Sequence, residues 1–130
     1  MKIEDIARKH YKLSRILACQ DSADSSQGGI YKLIFEFEKS HHYIYSVDIN
    51  TDEILPTQKT TKFSKFIDIS TRYPFVKKAY GLCLVWFWEM KNHQGYLDAL
   101  QIELTDPTLK KAVILQFKVV ASCIKVFEVK

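Results

Sequence analysis

Asp98 is the side chain whose predicted surroundings best suit acid–base chemistry. It lies in a segment, residues 84–104, that reads as a β-hairpin with its turn at Gly95. If the turn is a three-residue loop, Asp98 pairs with Met90 and lies on the same face as Trp88. A carboxylate beside those apolar groups would be partly desolvated, which is the environment of many general bases. The competing interpretation, which we favour, is that Asp98 accepts hydrogen bonds from amides of the turn.

The hairpin around Asp98 also predicts an apolar face. Side chains on one face of a strand recur every two residues, and the register follows from the turn. The loop requires a left-handed residue, so Gly95 is predicted to have a positive φ. The side chains predicted to share the buried face are Trp86, Trp88, Leu100 and Ile102. The apolar run at residues 82–88 further predicts that strand 82–91 is central and partly covered on both faces.

A second candidate site is the basic segment 59–80, which holds six Lys/Arg against one Asp/Glu. Its basic residues are interleaved with aromatic ones, a pattern that can contact phosphates and stack on bases. The candidate nucleic-acid contacts are Lys62, Lys65, Arg72, Lys77 and Lys78. The alternative is an amphipathic stretch with core aromatics and solvated lysines.

The remaining polar clusters predict neither a metal nor a cofactor. Residues 48–52 begin like a calcium loop, but Glu53 stands where the loop needs glycine and Lys59 where it needs a bidentate glutamate. An acidic turn after a strand is the better interpretation. His41 and His42 are adjacent, so on a strand they would point to opposite faces and could not share a metal.

Composition predicts one domain over residues 1–130 that is cytoplasmic and does not enter a membrane. Apolar residues make up 47% of the chain, enough for a core, and the net charge is only +4. Cys19, Cys83 and Cys123 are widely separated and odd in number, so they are predicted to be free, buried thiols.

The hydropathy pattern predicts an α+β fold, with an N-terminal helix packed on a meander-like antiparallel sheet of about six strands. Residues 12–20 either continue the helix or form a first strand, and Pro74 is predicted to open a short helix that ends at Gly81. The predicted strands are residues 31–37, 43–50, 82–91, 96–105, 111–122 and 123–129.

The hairpin carries a pattern, W-x-W-x3-N-x2-G-Y-x-D, that spans Trp86 to Asp98. This pattern resembles that of small uncharacterised bacterial proteins, some of which are similar to immunity proteins of toxin systems. The resemblance implies a single cytoplasmic domain with no established activity, and it identifies no ligand. It implies no catalytic residue. The expected partner is another protein, for which a toxin is one candidate.

Three functions follow from these observations, and the sequence leaves the oligomeric state open. Small size, abundant aromatics and the lack of a catalytic motif favour a non-enzymatic protein-interaction domain, either immunity-like or an accessory partner. The second hypothesis is a nucleic-acid-binding module that uses segment 59–80. The third is a small enzyme or ligand binder with a pocket near Asp98.

Overall fold

A strongly curled antiparallel sheet dominates the computed structural model of this chain. The structure describes residues 2–20, 29–48, 50–57, 66–106, 108 and 111–130. Within these ranges there are nine strands: β1 (Leu13–Gln20), β2 (Ile30–Phe37), β3 (His41–Asp48), β4 (Glu53–Thr57), β5 (Phe66–Asp68), β6 (Cys83–Lys91), β7 (Leu97–Asp106), β8 (Lys111–Val120) and β9 (Cys123–Val129).

The sheet consists of two meanders. β1 to β4 pair in chain order, and so do β6 to β9. The two sets are joined where Ile30 of β2 pairs with Ile124 of β9. β5 adds to the free edge of β1. The start of β6 also reaches the start of β1, where the Leu13 N–H donates to the Leu82 carbonyl at 2.9 Å. These links at both ends curl the sheet into a half-barrel.

One short α-helix, α1 (Ile3–Arg8), precedes the sheet. It buries Ile3 and Ile6, and it ends where His10 takes a left-handed φ of 55°. A residue in that conformation cannot continue a right-handed helix. Residues 13–20 are therefore the first strand, which settles the alternative left open by the sequence. A 3-10 helix at Pro74–Ala79 confirms the short helix predicted from Pro74.

The hydrophobic core fills the concave side of the half-barrel, and α1 packs against it. Phe35 of β2 lies at its centre, with edge-to-face contacts to Phe117 (ring centroids 5.2 Å apart) and Tyr45 (5.9 Å). In β7 and β8 the buried residues alternate with more exposed ones, as expected for strands with one face on a core. Burial of this single apolar face is what fixes the pairing of these strands.

The predicted antiparallel meander is confirmed, and the four C-terminal strands begin and end within two residues of their predicted limits. The balance of elements was predicted wrongly. The described sheet has nine strands rather than six, and the helix is only six residues long. The fold is therefore dominated by its sheet. Strands β1, β4 and β5 were not predicted securely because their segments have no clear strand pattern.

The turn of the β6–β7 hairpin was predicted correctly. Gly95 has a φ of +86°. Asn92 and Tyr96 close the loop, since the Asn92 N–H donates to the Tyr96 carbonyl at 2.9 Å. The left-handed conformation explains why glycine occupies this position.

The predicted register of the same hairpin is wrong between two bulges, from Trp86 to Met90, but correct on either side of them, where Leu84 pairs with Leu104 and Lys91 with Leu97. A bulge inserts Val85 between the paired residues Leu84 and Trp86, so Trp86 faces Glu103 and Phe87 faces Ile102. Because side chains alternate, a shift of one residue between the two bulges places the side chains from Trp86 to Met90 on the other face. Trp86 and Trp88 consequently lie on the outer face, opposite Leu100 and Ile102, and are 62% and 40% exposed. Strand β6 also stands at the end of the sheet order rather than at its centre.

Candidate functional site

Asp98 lies in a second bulge of the hairpin. Met90 pairs with Ala99 and Lys91 pairs with Leu97, which leaves Asp98 as the extra residue of β7 and not as the partner of Met90. Its side chain is half-buried. The amides of the turn are satisfied by Asn92 instead: its Oδ1 accepts from the N–H of Gln94 at 2.9 Å and of Tyr96 at 3.1 Å. A catalytic role for Asp98 stays a prediction.

The basic segment is only partly described, and Lys62 and Lys65 lie outside the described residues. Arg72, Lys77 and Lys78 are exposed. Lys78 forms an ion pair with Glu128, at 2.8 Å from Nζ to Oε2. Two aromatics of the segment, Tyr73 and Phe75, pack against the core. These contacts are those of an amphipathic stretch, and nucleic-acid binding by this segment stays a prediction.

The acidic turn after β3 is confirmed. The Asp48 carboxylate accepts from the Asn50 N–H at 2.9 Å, and Asp52 accepts from the Ser122 hydroxyl at 2.8 Å. In the described part of the chain, no group of three or more His, Cys, Asp or Glu side chains is placed to hold a metal.

None of the three cysteines forms a disulfide. The prediction that they are buried is wrong, because all three are half-buried. Each lies on a strand whose faces are only partly covered.

A ladder of charged side chains that the sequence did not predict crosses β1, β2 and β3. The register places Arg15 opposite Glu36, and Glu36 opposite His42. Arg15 Nε donates to one Glu36 oxygen, and His42 Nε2 lies 3.1 Å from the other. The hydrogen bond from Arg15 lowers the pKa of Glu36, and the contact with His42 acts in the same direction. The ladder is partly exposed, so it joins three strands at modest energetic gain.

A second polar pair joins the 3-10 helix region to the sheet. The Tyr80 hydroxyl donates to Asp68 Oδ1 at 2.6 Å and accepts from the Ile16 N–H at 3.1 Å. Partial burial would raise the pKa of Asp68, but the donors of Tyr80 and Ser70 lower it. The pKa of Tyr80 is raised by burial and then by Asp68. The pair is engaged within the fold, so we assign it a structural role.

The most exposed large apolar side chains lie on the convex side of β6 to β9, which we call the outer aromatic face. Two cross-strand rows of side chains define it: Trp88, Gln101, Gln116 and Phe127, and beside them Trp86, Glu103, Ile114 and Val129. The rings of Trp86 and Trp88 are stacked, 6.2 Å apart at 19°. Phe127, at the far end of the row, is 44% exposed.

Two glutamines hold the middle of the outer aromatic face. Gln116 Nε2 donates to Gln101 Oε1 at 3.2 Å and contacts the Met90 sulfur at 3.7 Å. Met90 is itself exposed and extends the face along β6. The face therefore presents aromatic, thioether and amide groups together on a rigid sheet.

A third row gives the outer aromatic face a charged end. Met90 pairs with Ala99, Ala99 with Lys118, and Lys118 with Lys125. Both lysines are exposed. Neither forms an ion pair with another described residue. Two like charges thus stand directly opposite each other at this end of the face.

Fold and surface together define a small antiparallel half-barrel with an exposed aromatic face. The chain belongs to a family of unknown function (DUF6334), whose model matches residues 2–130. Comparison with curated proteins and with solved structures found no match. Among the described residues, none of the helices has the length and apolar character needed to cross a membrane.

Proposed function

We propose that this protein is a non-enzymatic protein-interaction domain that binds its partner on the outer aromatic face. The observation that carries the proposal is the exposed, stacked pair Trp86 and Trp88, on a rigid strand beside Met90. Tryptophan, methionine and phenylalanine are enriched at the centres of protein interfaces, and tryptophan most often dominates the binding energy.

The exposed area supports a docking role. A tryptophan side chain offers roughly 250 Å², so the 62% exposure of Trp86 leaves about 150 Å² of it in water. Burying that area would yield about 4 kcal/mol before the costs of association. Trp88, Phe127 and Val129 add further exposed apolar area on either side of Gln101 and Gln116. Exposed apolar area bordered by polar residues commonly marks a binding surface.

The mixture of side chains favours a protein over a nucleic acid. Ile114, Val129 and Met90 stand among the aromatic rings, and aliphatic groups add little to base stacking. Glu103 lies directly beside Trp86, where it would repel a phosphate backbone. A toxin, one candidate partner for a chain whose hairpin resembles those of immunity proteins, is one protein that such a face would fit.

The test compares what the wild-type chain and a Trp86→Ala/Trp88→Ala variant retain from extracts of the native host. The matched control is Tyr96→Ala, which removes an exposed aromatic ring at the turn, beyond the rows that define the face. We expect a partner that both wild type and control retain, that the double variant loses, and whose purified form binds with the same pattern. Because both tryptophans are exposed, the variant should unfold within about 1 kcal/mol of wild type. Retention of the same proteins by all three chains would contradict the proposal.

A further inference from the structure

We infer that the partner presents acidic side chains next to an apolar ridge, and that Lys118 and Lys125 recognise them. The inference rests on the proposed function, because it concerns the charged end of the same face. It names the chemistry of the partner and the direction in which the partner lies on the sheet.

Lys118 and Lys125 lie on the outer aromatic face, one row beyond Gln116 and Phe127. Lys118 lies two residues after Gln116, and Lys125 lies two residues before Phe127, so both project from the same side of the sheet as those residues. Neighbouring rows on one face are separated by about 7 Å. An apolar group seated over Phe127 would therefore leave the adjacent groups of the same partner within reach of both ammonium groups.

Lys118 and Lys125 have no opposite charge beside them in the described part of the chain. Like charges opposite each other across an antiparallel pair destabilise it. The register brings Lys118 and Lys125 into that arrangement, and neither has an ion-pair partner among the described residues. Carboxylates from a partner would relieve this repulsion and form charge-assisted hydrogen bonds with both lysines.

The charges at the two ends of the outer aromatic face differ. Glu103 is the acidic residue of these rows, and it lies in the row with Trp86, away from the lysines. A partner with carboxylates at one end only would be attracted to the lysine end and repelled from the Glu103 end. A second copy of this chain would offer one glutamate to two lysines, which leaves a positive excess. The charges therefore favour a different, acidic protein.

The experiment selects displayed random peptides on three immobilised full-length chains: wild type, Lys118→Glu/Lys125→Glu, and Trp86→Ala/Trp88→Ala. We expect wild type to enrich peptides that combine aromatic or aliphatic residues with Asp and Glu. The lysine variant should enrich Lys and Arg instead, and the tryptophan variant should lose the enriched peptides. A synthetic peptide from the wild-type selection should bind about tenfold more weakly to the lysine variant, and more weakly to wild type when salt rises from about 50 to about 300 mM.

Two controls separate the role of this surface from net charge and from misfolding. Lys9→Glu/Lys77→Glu makes the same change in net charge at exposed positions away from the face and should bind the peptide like wild type. Lys118→Gln/Lys125→Gln removes the two charges without reversing them, and its affinity should fall between wild type and the glutamate variant. Thermal unfolding of each variant checks that it is folded.

The outcomes distinguish the two claims. Peptides that need the tryptophans but show no acidic preference would overturn this inference and leave the proposed function standing. If no selected peptide depends on the tryptophans, both fail. A dimer in sedimentation that the tryptophan variant abolishes would show that a second copy occupies the face, which overturns the acidic partner. Tryptophan- and lysine-dependent binding of a single-stranded oligonucleotide would replace both claims with a nucleic-acid function.

Discussion

Tyr45 offers a sharp test of the packing, because removal of its hydroxyl should stabilise the protein. The side chain is 1% exposed, and its hydroxyl has no hydrogen-bond partner among the described residues. In the unfolded chain the same hydroxyl is hydrated. Folding therefore removes a polar group from water without replacing its hydrogen bonds.

The expected gain can be worked from this arrangement. An unsatisfied buried hydroxyl costs about 1 to 3 kcal/mol. Tyr45→Phe keeps the ring contacts with Phe35 (5.9 Å) and Tyr43 (5.6 Å), so little packing is lost. We expect the free energy of unfolding to rise by about 1 kcal/mol or more, which corresponds to about 3 to 5 °C in Tm for a domain of this size.

The matched control is Tyr80→Phe. The Tyr80 hydroxyl donates to Asp68 and accepts from the Ile16 N–H. The same chemical change there leaves two groups short of a hydrogen bond and should destabilise the fold by about 1 to 3 kcal/mol. The two variants are thus predicted to shift the urea midpoint in opposite directions.

Alkaline pH gives a second readout of Tyr45→Phe. Burial raises the pKa of Tyr45 above its ordinary value. A raised folded pKa means that the stability is complete below the unfolded pKa of about 10 and is lost as pH rises further. The phenylalanine variant lacks this loss, so its advantage over wild type should widen above pH 10, by up to about 1.4 kcal/mol per pH unit. A Tyr45→Phe variant that is less stable than wild type at pH 7 would refute the argument that the hydroxyl is unsatisfied.

Three other substitutions test the turn, the junction of the two meanders and the charged ladder. Gly95→Val should cost about 1 to 2 kcal/mol, because φ is +86° and a β-branched residue is strained there. Backbone strain is the only cost expected, since an added Cβ would meet nothing within 4 Å. Unchanged stability in urea unfolding would contradict this. Gly29→Ala should cost about 1 to 3 kcal/mol, since its Cβ would overlap Cys123 Sγ. Cys123→Ala should recover part of that loss in a double-mutant cycle, whereas additive effects would show that the two do not touch. The lowered pKa of Glu36 and Asp68 contributes stability that is present above their unfolded pKa of about 4 and is lost as pH falls below it. Glu36→Gln should therefore lose less stability than wild type as pH falls, in unfolding measured across pH. An unchanged dependence of stability on pH would mean that the ladder adds nothing.

The ends of the strands could be predicted because turn residues and two-residue alternation act locally. Gly95 marks a left-handed position, and the alternation of Leu100, Ile102 and Leu104 with polar neighbours identifies the buried face of β7. Both signals are written in adjacent residues. They depend on no distant contact, which is why the structure confirms them.

The outer aromatic face could not be predicted because it depends on a bulge. Residues 82–88 are apolar at every position, so their hydropathy does not indicate which face of the strand is buried. The bulges at Asp98 and Val85 shift the register between them by one residue and so decide between the faces, and a bulge has no hydrophobic signature. A partial clue lay in β7, where Gln101 and Glu103 alternate with the buried residues and must face water.

The charged ladder stayed hidden for a different reason. It requires β1 to pair with β2, but residues 12–20 fit a helix as well as a strand in the sequence. Without that pairing, Arg15 and Glu36 are two separate surface charges. The ladder exists only through the register of the strands, which links residues far apart in the chain.

The junction between the two meanders has a consequence for how the chain folds. Within each meander, strands pair with neighbours in sequence, so the pairings of each half form with only a small entropic cost of loop closure. The Ile30–Ile124 pairing joins residues separated by most of the chain and gains nothing until both halves exist. Docking of the halves is therefore expected to limit the folding rate. In native-state hydrogen exchange, the amides at the junction should exchange before those inside either meander.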